Sequence, residues 1–367
     1  MATPYTPAHE AHLAQARTQY RRLAEVPGSR LSLTMFTDFE GFSIEAYCRD
    51  FAPNPRYAAA ARVVETFMHE YGLRLGAQSA NAMSSAGYMY PTTDLRQLVR
   101  IGQNLSVDWA LNDTIGRDRF AALAPGARRE AEDLVRRMTH LGDDLRPPRD
   151  ATPLEHANCR ALAEIRSTAD GAWFAGFRED WDRHVAVTHQ DRNARALGEV
   201  PTVEEYVDAR ADYGGMRHHS RLVEYATGRY IDWAEARAAG IDEQLHRIRD
   251  LSAGLTGALN DPFSVEKEFL DAGSDANLVI VCLLNNPGCT IVEAVHEAAR
   301  ATRTLVAEFF ALAAAIRDAA RGHARLAACV EANLRGMAAH LRTTWTWQLG
   351  SPRYRRPASM FTELATG

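Results

Sequence analysis

The strongest constraint on this chain is the period of its apolar residues. Leu305, Phe309, Leu312 and Ile316 recur at steps of three and four, and so do Leu326, Val330, Leu334, Met337 and Leu341. That period gathers side chains on one face of a helix, whereas a strand needs alternation at every second residue. Strand-like alternation is nearly absent and alanine is abundant. Breaks at Pro53–Pro55, Gly72, Pro125-Gly126, Asp143–Pro153, Gly198–Pro201, Gly214-Gly215, Gly273 and Asn286-Pro287-Gly288 cut the chain into segments of helical length. The pattern predicts an all-α bundle of roughly ten or more helices with apolar stripes turned inward. No stretch reads as a linker between domains, and Asp143 to Pro153 is read as a surface loop. The opening residues are polar with two prolines, so a flexible tail is expected over residues 1–20 and a single helical domain over 21–367.

Composition excludes several classes. With 367 residues, 46% hydrophobic and 24% charged, the chain can bury a large core. A net charge of −5 argues against a partner among nucleic acids, whose binders are basic. The five cysteines are scattered, with no Cys-x-x-Cys pair, and read as reduced thiols of a cytoplasmic protein. The apolar run Leu278 to Leu284 is too short for a transmembrane segment, and the run near Leu305 is interrupted by Glu308. There is no His-Glu-x-x-His, Walker-type loop, Gly-x-Ser-x-Gly or dinucleotide fingerprint. His218-His219 follows a glycine break and is expected to be a partly exposed pair.

Four stretches carry chemistry. In Asn260-Asp261-Pro262-Phe263-Ser264-Val265-Glu266-Lys267-Glu268, the oxygen-bearing Asn260, Ser264 and Glu268 sit four apart. A four-residue step overshoots one helical turn by only about 40°, so the three share a face. An amide, a hydroxyl and a carboxylate form a hard-oxygen set suited to Mg²⁺. One carboxylate holds such a cation weakly, so a phosphate ligand would have to complete the shell, with Lys267 neutralising it. The competing reading is a solvated helix face that starts at Asn260 and Pro262. Upstream, Asp113 and Asp118 flank Gly116 at the end of an apolar helical segment bearing Trp109, where Gly116 permits the helix to open so that both carboxylates approach one metal cluster. Thr202-Val203-Glu204-Glu205 is a capping box that starts a helix carrying Tyr206 and Arg210 up to Gly214-Gly215. Arg353-Tyr354 follows a long helical segment.

Taken together, Asn-Asp-x-x-Ser-x-x-Lys-Glu resembles the second metal motif of class I terpene synthases. Tyr90-Pro91, Asp108-Trp109 and Asp113 follow in the order that family shows before its acidic motif. Tyr206, Arg210, Gly214-Gly215 and Glu224 resemble its diphosphate-sensor segment, and Arg353-Tyr354 its C-terminal pair. The resemblance spans Tyr90 to Tyr354. It implies a single-domain helical bundle around a central apolar cavity, with three Mg²⁺ ions held by Asp113, Asp118, Asn260, Ser264 and Glu268. It further implies that Arg210, Asn260, Lys267, Arg353 and Tyr354 bind the diphosphate and that the Gly214 carbonyl faces the ionising carbon. Two departures stand out: Thr114 replaces the second aspartate, and Tyr213 replaces the usual linker residue. A rival alignment pairs Asn112 with Asp113 and leaves Asp118 one residue too far.

The expected activity is Mg²⁺-dependent cyclisation of a linear isoprenoid diphosphate with release of diphosphate. Small residues in Trp109-Ala110-Leu111-Asn112 favour the twenty-carbon geranylgeranyl diphosphate over farnesyl diphosphate. Trp109, Phe263, Trp345 and Trp347 are candidate cavity aromatics that could steady carbocations. The alternatives are a chain-elongating prenyltransferase, which should carry two Asp-rich motifs, and a non-catalytic helical diphosphate-binding protein. A homodimer is compatible with either.

Overall fold

The computed structural model of the protein describes residues 1–25, 30–73, 82–116, 120 and 123–366. Helices make up nearly all of its regular structure. The sheet among the described residues is a short antiparallel pair, Thr3–Pro4 with Glu199–Val200. The helix starts are chemically defined. Asp94 and Asp170 accept from the N–H groups of Gln97 and Trp173 at 2.9 and 3.0 Å. Thr152/Glu155, Thr202/Glu205 and Thr290/Glu293 form reciprocal capping boxes. Gly214 ends the Val203–Tyr213 helix, and Gly215, at φ 74°, opens Met216–Thr227. That left-handed position suits glycine.

Two apolar clusters form the interior. One joins the helices Asp242–Val265, Leu278–Asn285, Ile291–Ala320 and Ala324–Gly350 around residues such as Leu283, Phe309, Leu334 and Phe361. The other joins Leu95–Ile115, Gly171–Val187 and Met216–Thr227 around Leu98, Phe177, Trp181 and Tyr225. The predicted stripe on the last helix is buried at all five positions. On Ile291–Ala320 the buried stripe is Val306, Phe309, Ala313 and Ile316, with Leu305 and Leu312 half-buried beside it. A cavity takes its walls from helices of both clusters. No helix among the described residues is long and apolar enough to cross a membrane.

Residues expected to form a loose tail are ordered instead. Pro7–Glu25 is a helix that buries Leu13, Ala16 and Tyr20. The apolar spacing from Leu13 to Tyr20 was masked by the polar residues and prolines ahead of it. The Tyr20 hydroxyl donates to the buried carboxylate of Glu266, which also receives Ser359 Oγ at 2.9 Å and the Met360 N–H at 2.8 Å. Burial pushes the Glu266 carboxyl up. Both ends of the chain therefore clamp the turn that carries Lys267 and Glu268. Tyr20→Phe deletes one donor to a buried acidic group and should lower stability by about 1–3 kcal/mol in urea unfolding. An unchanged midpoint would mean that the N-terminal helix does not anchor this turn.

Candidate active site

The helix bearing the Asn/Ser/Glu triad begins far upstream of Asn260. It runs from Asp242 to Val265 straight through Pro262, then widens into a π turn over Glu266–Asp271. Pro262 has no N–H to offer the preceding turn, which loosens the ladder at this point. Asn260 and Ser264 lie on the α-helical part and Glu268 on the π turn. The wider turn rotates less per residue, which counters the drift of a four-residue step. Asn260, Lys267 and Glu268 line a cavity of about 260 Å³. Ser264 does not: it is buried, and its hydroxyl lies 3.4 Å from the carbonyl of Asp261. Lys267 is the only lysine in the sequence.

A buried ion pair sets this end of the cavity. Asp261 is fully buried, and Arg210 Nε reaches its Oδ1 at 3.0 Å. Its Oδ2 accepts from the Tyr206 hydroxyl at 2.5 Å and the Leu278 N–H at 2.8 Å. Burial pushes the Asp261 carboxyl up against the pull of Arg210. Arg210 Nη2 donates to Asn260 Oδ1 at 2.9 Å, and Asn260 Nδ2 donates to the Tyr354 hydroxyl at 3.1 Å. Asn277, which the sequence reading passed over, donates from Nδ2 to both the Asp261 carbonyl and Glu268 Oε2, each at 2.9 Å. A Cβ at Gly214 would collide with the Arg210 side chain, so glycine lets the guanidinium fold back over the helix end. The guanidinium also lies 5.1 Å from the centre of the Tyr213 ring. Glu224 is occupied elsewhere, pairing with Arg249 and accepting the Ile231 N–H.

On the opposite wall the Leu95–Ile115 helix stays closed to its end, where the Gly116 N–H bonds the Asn112 carbonyl at 3.0 Å. Leu105, Asp108, Trp109 and Asn112 face the cavity. Asp113 is half-buried and is not among the lining residues; Asn112, its partner in the rival alignment, is. Thr114 turns back onto the Ala110 carbonyl at 2.7 Å. Asp118 lies outside the described residues. Arg353 and Tyr354 line the same cavity, and the Arg353 guanidinium stands 5.3 Å from the Trp109 ring centre. Trp347 lines it too, whereas Phe263 and Trp345 pack edge to face in the core next to it.

Another set of polar groups on these walls was not foreseen. His218 and His219 are buried rather than partly exposed. Asp108, His184, His219 and His340 all line the cavity. His184 Nε2 meets Asp108 Oδ1 at 2.7 Å and its Nδ1 meets the Asp212 carbonyl at 2.9 Å. Both partners only accept, so the ring donates from both nitrogens and is an imidazolium. Burial opposes the Asp108 charge, but His184 and His219 outweigh it and hold the carboxyl well below its ordinary range. Burial likewise opposes the His184 charge, and Asp108 outweighs it, raising the imidazole above its usual 6.5. The Tyr90 hydroxyl bridges His219 Nδ1 and carbonyl at 3.1 and 3.0 Å. Ligand atoms of Asp108, His218 and His219 lie within 4.8 Å of one another, close enough to hold a cation, but Asp108 is already neutralised by His184. The sequence signal was slight: two adjacent histidines after a double glycine, with partners drawn from three distant helices.

An all-α bundle whose cavity gathers Arg210, Lys267, Arg353, Asn260 and Glu268 defines a terpene-synthase-like protein. The profile of the terpene synthase family 2 C-terminal metal-binding domain matches residues 117–308, and the chain belongs to that family. A 7-epi-α-eudesmol synthase of Streptomyces viridochromogenes, described as cyclising (2E,6E)-farnesyl diphosphate, is 28% identical over 199 residues. That match spans 53% of this chain and 56% of the relative, just over half of each. Among solved structures, a cucumene synthase variant aligns with a TM-score of 0.67 at 20% identity, covering 83% of this chain and 98% of that one. An α-eudesmol synthase aligns with the same score at 22% identity, covering 82% and 97%. A linalool/nerolidol synthase from Streptomyces clavuligerus does so at 20% identity, again covering 82% and 97%. These likenesses establish the class I terpene synthase fold.

The Asp108–His184 pair makes a signed prediction. A raised folded-state pKa means that His184 contributes its full stability below about pH 6.5 and loses it as pH rises through the folded value. The depressed Asp108 stays ionised throughout that window. The stability gap between wild type and His184→Gln should therefore be largest near pH 6 and shrink toward pH 9 in urea unfolding. A gap that widens with pH would contradict the charge assignment.

Proposed function

We propose that the chain is a divalent-metal-dependent terpene cyclase that ionises farnesyl diphosphate and closes its hydrocarbon chain with release of diphosphate. The observation that carries this is the convergence of Arg210, Lys267, Arg353, Tyr354, Asn260 and Glu268 on one cavity that also presents Leu105, Met89, Met216, Trp109 and Trp347. Three cations beside an amide and a carboxylate form an anion site that also suits a hard metal. The donors present fit Mg²⁺: Asn260 and Glu268 put hard oxygens on the cavity lining, and Asn277 holds the Glu268 carboxylate in place. The family resemblance adds Ser264, Asp113 and Asp118 and three ions in all, but Ser264 and Asp113 do not line the cavity and Asp118 lies outside the described residues. When bound, Mg²⁺ neutralises charge that builds on the departing diphosphate.

The chain's own residues do the rest. Arg210 and Arg353 present planar forks to diphosphate oxygens, and Lys267 adds a point charge. Arg210 is held by Asp261 before any ligand arrives, so little reorganisation accompanies bond cleavage. Trp109 and Trp347 offer ring faces to a carbocation. The apolar wall excludes bulk water while the chain folds on itself.

The sequence leans toward a twenty-carbon substrate on the small residues of Trp109-Ala110-Leu111-Asn112. Ala110 and Leu111 are buried in the core and do not line the cavity, whereas Trp109 and Asn112 do. The relative described as cyclising farnesyl diphosphate favours the fifteen-carbon substrate. With Mg²⁺, purified protein should convert farnesyl diphosphate to a cyclic product, and Glu268→Gln should cut diphosphate release by roughly 10²–10³-fold. Equal release in a chelator would overturn the metal-dependent reading. Stimulation by isopentenyl diphosphate with a longer linear product would favour chain elongation.

A further inference from the structure

The cavity has a second polar region that a diphosphate does not explain. His340 lines the cavity, is fully buried, and has no hydrogen-bond partner at either ring nitrogen. His218 is equally without partners, but it does not line the cavity; the rings of Phe177, Trp181, His184 and His219 enclose it. His340 alone combines both properties among these histidines. It sits ten residues before the end of the Ala324–Gly350 helix, about 15 Å of helical rise. The Tyr90 ring meets it edge-on, with centroids 5.4 Å apart, and fixes its plane.

A buried donor and a buried acceptor without partners each carry an uncompensated loss of hydration. A hydrocarbon chain satisfies neither. A water molecule can donate to the bare ring nitrogen or accept from the ring N–H, though one water reaches only one of the two. The next turn suits the same guest. Thr343 and Thr344 line the cavity, and their hydroxyl protons are committed to the Ala339 and Leu341 carbonyls at 2.7 and 2.6 Å. Only their lone pairs remain to accept from a guest.

We propose that His340 is the terminating residue of the reaction: its ring holds one water against the final carbocation and takes a proton from it, so that the product is a cyclic terpene alcohol. This rests on the cyclase reading above. The bonds balance. The C–O bond of the substrate breaks heterolytically and the electron pair leaves with diphosphate. A lone pair of the water oxygen forms a C–O bond to the last cationic carbon. One O–H bond then breaks, and its proton moves to the free ring nitrogen of His340, leaving a neutral alcohol and an imidazolium. Burial pushes the free imidazole down to about 3, so the ring is neutral and its lone pair available before the reaction. An oxonium ion is far more acidic than that imidazolium, so the transfer runs downhill.

The test uses the full chain, Mg²⁺ and farnesyl diphosphate in ¹⁸O-water, with product ratios by gas chromatography–mass spectrometry and diphosphate release measured in parallel. Wild type should give a labelled cyclic alcohol as its main product. His340→Phe, similar in size and without ring nitrogens, should lower the ratio of alcohol to hydrocarbon by about ten-fold or more. His340→Gln, which can still bind a water but has no basic nitrogen, should leave the ratio well below wild type. A circular-dichroism melt checks folding, and His340→Met carries the same test if the Phe variant does not fold. Unlabelled hydrocarbon as the main wild-type product overturns the proposal, as does an unchanged ratio in the apolar variant. No diphosphate release by wild type overturns the cyclase reading itself, and the parallel assay shows which of the two has failed.

Discussion

The ion pair between Arg210 and Asp261 is the contact on which the diphosphate end of the cavity depends. Both side chains are buried, and removal of either partner would leave an uncompensated charge at a cost of about 3–5 kcal/mol. The pair locks three helices together, because Asp261 also takes the Tyr206 hydroxyl and the first N–H of Leu278–Asn285. From there the order spreads by hydrogen bonds. Arg210 orients the Asn260 amide, Asn260 meets Tyr354, and Asn277 joins the Asp261 backbone to Glu268. Residues named from the sequence as separate motifs are thus one network, held before any ligand is present. Such rigidity allows charged groups to act on a leaving group without first reorganising.

Much of this was readable in the sequence because the signals are local. The capping box at Thr202 and the double glycine at Gly214 defined the Arg210 helix at both ends, and the structure has it as Val203–Tyr213. The stripe from Leu326 to Leu341 named a core face that is buried at every position. Readings failed where a local pattern met a tertiary constraint. Pro262 looked like a helix start but sits inside a long helix, where the buried Asp261 network holds the ladder across the gap. Gly116 suggested an open helix end, yet the helix stays intact to Ile115, which puts Asn112 on the wall and Asp113 off it. The histidine cluster draws on Asp108, His184, His218, His219 and His340 from four helices, so no window of sequence could show it.

The two polar regions of the cavity differ in charge. Around the diphosphate end stand Arg210, Lys267 and Arg353; Arg210 is paired to Asp261, and Glu268 lines the same cavity. Farther along the walls, Asp108 and His184 cancel each other, and His340 is kept neutral by burial. A cation generated at the first region and passed toward the second would meet dipoles and lone pairs rather than a bare anion.

Lys267, as the only lysine of the chain, offers a direct probe of the central claim that metal and diphosphate assemble together against these residues. Reductive methylation of Lys267 can be followed by peptide mass spectrometry with Mg²⁺ alone, inorganic diphosphate alone, or both. The account predicts that modification slows by about ten-fold or more only when both are present, because two ligands that share a site raise each other's affinity. Equal rates under all three conditions, or full protection by diphosphate without metal, would contradict it.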